Sequence, residues 1–149
     1  MASRVVVGID GSPEGDEALR WAAREAAARQ DELAVVVVWT WDRPALVGAP
    51  VMIEPDQARG HAERVLAEAV ERVKAEHPTM TVTAAAVEGH APDVLVGAAR
   101  DADLLVLASH GHGRLYHLVL GSVAEECVRK ATCPVVVVPA AMAHAASGA

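Results

Sequence analysis

Residues 4 to 13 read Arg4-Val5-Val6-Val7-Gly8-Ile9-Asp10-Gly11-Ser12-Pro13. A short apolar run rich in β-branched residues stops at a turn, and the turn carries helix-start chemistry. Ser12 can cap the amides of a following helix, and Pro13 suits the first helical position. Ala18, Trp21, Ala22, Glu25 and Ala26 then recur at helical spacing. This strand-turn-helix unit sets the pattern for the chain.

The same alternation continues outward. Leu33 to Trp39 holds four consecutive valines and reads as a second strand. Residues 42 to 57 carry Pro44, Gly48, Pro50 and Pro55 and read as a long connection. From Gln57 to about Glu76, the positions Ala62, Val65, Leu66, Ala69, Val70 and Val73 mark an amphipathic helix. Met80 to Val87 predicts a third strand, Pro92 to Ala99 a short helix, and Asp103 to Ala108 a fourth strand. Ser122 to Ala131 is helical in pattern, with Ser122 and Glu125 spaced as a capping box. Pro134 to Val138 is a fifth strand. Strands alternating with crossover helices predict an α/β fold, a doubly wound parallel sheet with helices on both faces. Residues 1–139 are expected to form one domain, with residues 140–149 a flexible Ala/Ser/Gly-rich tail.

Composition narrows the function classes. The chain has 149 residues and a formal charge of −7, which argues against nucleic acid or an anionic membrane as the main partner. Phe is absent and aromatics total 3%, too few for base stacking along a single strand. Apolar residues make up 52%, mostly Ala and Val, which suits close-packed helices on strands buried on both faces. No apolar run is long enough to span a membrane, and Met1-Ala2-Ser3-Arg4-Val5 has no signal-peptide pattern, so a cytoplasmic location is expected. Cys127 and Cys133 read as ordinary reduced thiols, Cys127 as a small buried hydrophobe.

In an open parallel sheet, ligands bind beyond the carboxyl ends of the strands, where the strand order reverses. Three such ends are polar or glycine-bearing: Asp10-Gly11-Ser12, Glu88-Gly89-His90, and the segment from Ser109 to Ser122. The last leads into a helix start, whose free amides and dipole favour an anion. Gly111 and Gly121 would let backbone approach a phosphate. That segment contains His110, His112, His117 and Arg114 and no acid. Arg114 could reach a terminal phosphate. The three histidines lack companion ligands in sequence and read as solvated loop residues. The first helix is the poorer phosphate site, because Glu14, Asp16 and Glu17 already answer its dipole. Asp10 is therefore expected to contact the nucleoside end of a ligand, or a metal, rather than phosphate oxygens. Of Trp39 and Trp41, at least one is expected to serve packing rather than base stacking. The P-loop, the dinucleotide G-x-G-x-x-G and the G-x-S-x-G elbow are absent from the sequence.

Taken together, Val5-Val-Val-Gly-Ile-Asp-Gly-Ser12, Gly89-x-x-Pro92, Ser109-His-Gly-x9-Gly121-Ser122 and Cys133-Pro-Val-Val-Val-Val-Pro139 resemble the universal stress proteins. The likeness runs from Val5 to about Pro139. The ATP-binding branch of that family carries G-x-x-G-x9-G-[ST]; Gly111, Gly121 and Ser122 match it, while Ala108 stands at the first glycine. The resemblance implies a Rossmann-like, adenine-nucleotide-hydrolase-like sheet in the order 3-2-1-4-5. Gly8, Ile9, Asp10 and Thr40 would then line the adenine end. Ala108, Ser109, Gly111, Gly121, Ser122 and Val123 would lie along the ribose and phosphates. ATP with Mg2+ carried on its phosphates is the implied ligand. No catalytic residue is identified, so hydrolysis is expected to be slow and metal-dependent at most. The family also implies a homodimer paired through Val135–Val138. Cyclic AMP or AMP on the same fold, and a non-nucleotide interaction module, are the alternatives.

Overall fold

The structure is a computed structural model, and it describes residues 3–40, 54–110 and 120–139. The elements in chain order are β1 (Arg4–Ile9), α1 (Pro13–Arg29), β2 (Glu32–Trp39), α2 (Pro55–Glu76), β3 (Val82–Glu88), α3 (Ala91–Ala98), β4 (Leu104–Ala108), α4 (Ser122–Lys130) and β5 (Val135–Val138). All neighbouring strands pair parallel, in the order β3-β2-β1-β4-β5. This is the doubly wound arrangement expected from the alternation.

The strand period of two divides the core into two layers. Val5, Val7, Ile9, Leu33, Val35, Val37, Leu104 and Val106 face α1 and α2. Val6, Val36, Leu105 and Leu107 face Leu95 and Ala99 of α3 and Ala124 and Cys127 of α4. Because both faces are covered, the valine runs show no polar alternation. Ala18, Ala22, Ala23 and Ala26 are each at most 2% exposed, so α1 lies close against the sheet on methyl-sized side chains. The outer strand β3 is different: Thr83, Ala84 and Ala85 are exposed along its length.

Local chemistry sets the helix ends, with two departures from the sequence reading. Ser12 caps α1 as expected, its Oγ accepting the Gly15 amide at 3.0 Å. α2 begins at Pro55 rather than Gln57, because a proline is as suited to the first helical position as to a loop. The expected capping box at α4 does not form: Gly121 occupies the N-cap position, Ser122 is already helical, and no side chain caps this end. The physical reason is a tertiary contact. The Gly121 amide donates to the Ser109 carbonyl at 2.7 Å, which brings the chain into the helix one residue early. Residues 41–53, including Trp41, and the tail 140–149 lie outside the described residues.

Candidate functional site

Because β1 lies between β2 and β4, the crossovers leave it in opposite directions and open a crevice at its carboxyl end. A cavity of about 120 Å³ sits there. Gly8, Ile9 and Asp10 from β1, Ala108 from β4 and Val123 from α4 line it, so five of the expected site residues converge. A second cavity of about 200 Å³ adjoins it at the end of β2 and includes Thr40. Asp10 and Val38 border both cavities. Ser109, Gly121 and Ser122 stand at the junction of β4 and α4, beside the first cavity without lining it. His110, expected as a solvated loop residue, is instead buried and lines the first cavity, while Gly111, Arg114, His112 and His117 fall outside the described residues.

The walls are mostly apolar. Gly8 has no side chain, and Leu95 lies over it: a Cβ at position 8 would come within 2.7 Å of a Leu95 methyl carbon. Val36, Val38 and Leu107 extend the surface along the strands, and Ala91 and Leu95 close it from α3. A flat, apolar crevice with one carboxylate at its edge suits a planar heterocycle joined to a polyol.

Asp10 is held in place by the turn that follows it. Its Oδ1 accepts the Ser12 amide at 3.0 Å and the Ser12 hydroxyl at 2.5 Å. Gly15 packs against this pair: a Cβ there would meet Oδ1 at 3.0 Å. The carboxylate is thereby fixed at the mouth of the crevice. The neighbouring acids are compensated within the protein. Glu17 pairs with Arg20 at 2.6 Å, and Asp16 reaches Arg72 of α2 at 3.1 Å.

Gly121 serves a purpose not visible in sequence spacing. Its backbone is of an ordinary extended type, φ −63°, which any residue adopts. What requires glycine is contact: a Cβ would stand 2.9 Å from the Ser109 carbonyl oxygen. The two ends of the segment between β4 and α4 are clasped backbone to backbone. Beyond that clasp, the first amides of α4 have no intrahelical acceptor, and they open beside Val123 at the cavity wall.

Sequence reasoning missed several lining residues. Ala91 and Leu95 are four apart on α3 and share a face, while Val36 and Val38 are two apart on β2. These spacings were readable, but not which face would meet the ligand. Gln57 and His61 of α2 border the second cavity, and nothing in the helix pattern marks them for it. Trp39 packs against the α1/α2 layer, consistent with a packing role. Cys127 is fully buried on the sheet-facing side of α4, and desolvation pushes its thiol up to about 11.

Comparison with known proteins places this architecture. Universal stress protein Rv2624c of Mycobacterium tuberculosis strain H37Rv is 38% identical over 133 residues, spanning 89% of this chain and 47% of the relative. Universal stress protein Rv2623 of the same strain is 34% identical over 139 residues, spanning 90% of this chain and 46% of the relative. The chain thus spans about half the length of the curated relatives it matches. Among solved structures, a universal stress family protein from Burkholderia pseudomallei has 30% identity and a TM-score of 0.70, covering 93% of this chain and 96% of its own. A universal stress protein crystallised in complex with cAMP has 26% identity and a TM-score of 0.69, covering 91% of this chain and 96% of its own. The family model described as "Universal stress protein family" matches residues 1–139, which include every described strand and helix, and the chain belongs to that family.

Proposed function

We propose that this chain is a regulatory nucleotide-binding protein of the stress response, taking an adenine nucleotide, ATP with Mg2+, in the crevice between β1 and β4. One observation carries the reading: an apolar slot at the strand-order switch has a fixed carboxylate, Asp10, at its mouth and the amide-bearing start of α4 beside it. In this reading the base lies against Gly8, Val36 and Leu95, and Asp10 accepts from a ribose hydroxyl. The amides of Ser122 and Val123 take phosphate oxygens. Gly111 and Arg114, in the basic acid-free segment, complete the phosphate path, and Thr40 borders the base from β2. Mg2+ would come with the phosphates, since an octahedral ion of this kind keeps its waters and needs few protein ligands. No catalytic residue is assigned, and occupancy rather than turnover is the proposed signal. The protein is read as a cytoplasmic homodimer joined through Val135–Val138, whose outer backbone groups need cover.

A second reading, cyclic AMP or AMP in the same crevice, is favoured by the cAMP complex of the relative at 26% identity. Calorimetry with ATP, AMP and cyclic AMP on nucleotide-stripped protein separates the two. Affinity that falls sharply without β- and γ-phosphates supports ATP. Equal or tighter binding of cyclic AMP transfers the assignment to the second reading. No heat with any of the three overturns nucleotide binding and leaves an interaction module.

A further inference from the structure

A separate cluster of side chains, none of which lines the crevice, bridges α3 and α4. His90 is the residue preceding α3, Asp93 lies in its first turn, and Glu126 and Lys130 are one turn apart on α4. His90 Nε2 lies 3.1 Å from Glu126 Oε2. Lys130 Nζ donates to the same carboxylate at 2.8 Å and to Asp93 Oδ1 at 3.4 Å. One ligand atom from each of His90, Asp93 and Glu126 lies within 4.8 Å of the other two, and among the described residues no other group of three does so.

We propose that His90 Nε2, Asp93 and Glu126 form a three-ligand site for a transition-metal dication of the zinc class, joining α3 to α4. The donor set argues for that class. The imidazole nitrogen suits zinc-class dications, carboxylate oxygens also ligate zinc, and three protein ligands leave a fourth position to water. An imidazole nitrogen is a poor partner for Mg2+ or Ca2+, which prefer oxygen throughout. The position of Lys130 is the second argument. Its ammonium already sits where the two carboxylates converge, so this point between α3 and α4 holds a cation by construction. A dication in its place would cancel both carboxylate charges, whereas the ammonium cancels one.

The site is also open to exchange. His90, Asp93 and Lys130 side chains are 60%, 62% and 50% exposed, so the lysine can swing into solvent and the ligands can close inward. A tetrahedral zinc spaces its ligand atoms by roughly 3.4 Å; His90 and Glu126 already stand at 3.1 Å, so the approach that remains, up to about 1.4 Å, falls on the exposed Asp93 side chain.

The test is calorimetric titration of the full chain with Zn2+ and, separately, Mg2+, in buffer free of phosphate and nucleotide, with the absorption of bound Co2+ as a second readout. One equivalent of Zn2+ and tetrahedral Co2+ bands are expected, with little heat from Mg2+. His90→Ala and Glu126→Gln should each weaken Zn2+ by about tenfold or more. Lys130→Met should tighten it roughly fivefold, the effect of removing one unit charge that has swung to about 8 Å from a dication in a water-like medium. His77→Ala, a distant control, should change nothing. All four positions are at the surface, and circular dichroism checks that each variant folds. The proposal is overturned by absence of Zn2+ binding, by unchanged affinity in His90→Ala, by weaker binding in Lys130→Met, by a loss in His77→Ala, or by Mg2+ binding as tightly as Zn2+. Since no nucleotide is present, these outcomes are independent of those that decide the crevice ligand.

Discussion

Gly121→Ala decides whether that glycine holds the protein together or only admits a ligand. The substitution adds one carbon, 2.9 Å from the Ser109 carbonyl oxygen and 3.4 Å from His110 Cα. Carbon–oxygen contacts settle at about 3.3 Å or more, so roughly 0.4 Å must be found. Neither neighbour is the end of a flexible side chain, and the Gly121 amide is bonded to the same oxygen at 2.7 Å. Separating the two backbones therefore stretches the clasp itself. Overpacking of this kind costs about 1–3 kcal/mol, and alanine is also a poorer N-cap than glycine. The backbone angles at 121 are open to alanine, so no conformational penalty is added. A loss of about 2 kcal/mol lowers Tm by roughly 4–8 °C in a chain of this size. Scanning calorimetry on nucleotide-free protein reads the shift, and hydrogen exchange reads the protection of the Gly121 amide. A Tm within about 1 °C of wild type, with unchanged amide protection but weakened nucleotide binding, would refute the clasp and return the glycine to a ligand role.

Two further perturbations test the core and the sheet edge. Burial pushes the Cys127 thiol from an ordinary 9.0 to about 11, so the folded state keeps a proton that the unfolded chain loses first. Stability should hold below about pH 9 and decline as pH rises toward 11, and Cys127→Ala should flatten that decline; a wild-type urea midpoint that is the same at about pH 8 and 10.5 would count against it. At the edge, Pro134 O accepts from Leu105 and Val138 O from Ser109, so the even-numbered residues of β5 bond to β4 and Val135 and Val137 turn their amides outward. Val137→Pro removes an outward donor while sparing the ladder to β4. It should convert a dimer to monomer in sedimentation analysis with the fold retained, and a dimer that persists would place the interface elsewhere.

The strands were legible because parallel pairing buries both faces, and Val5, Val6 and Val7, all fully buried, leave a continuous apolar run. The start of α1 was legible for a local reason: Ser12 and Gly15 satisfy each other within one turn. Features that depend on distant chain were not. The Ser122–Glu125 spacing suggested a capping box, yet the contact between Gly121 and Ser109 moved the cap by one residue. Asp10 could be placed near a crevice because it follows a strand end, and Gly8 and Thr40 came only with the family resemblance, whereas Leu95 and Val36 carry no mark that separates a crevice wall from the rest of the core. The Glu88-Gly89-His90 strand end stood out as polar, but its pairing with Glu126, 36 residues on, required the packing of α3 against α4.

The alanine-rich outer strand has a consequence for assembly. A pair of chains joined through β5 would form one continuous sheet, and both of its outer margins would be β3. Those margins expose backbone donors and acceptors, the usual invitation to further growth. Their side chains at 83, 84 and 85 are one threonine and two alanines, which give an approaching strand hydrogen bonds but almost no interdigitating surface. In such a pair, growth past two copies would be opposed by poverty of side chain rather than by charge. Valines at those positions, which suit a strand better by propensity, would turn a closed pair into the seed of a filament.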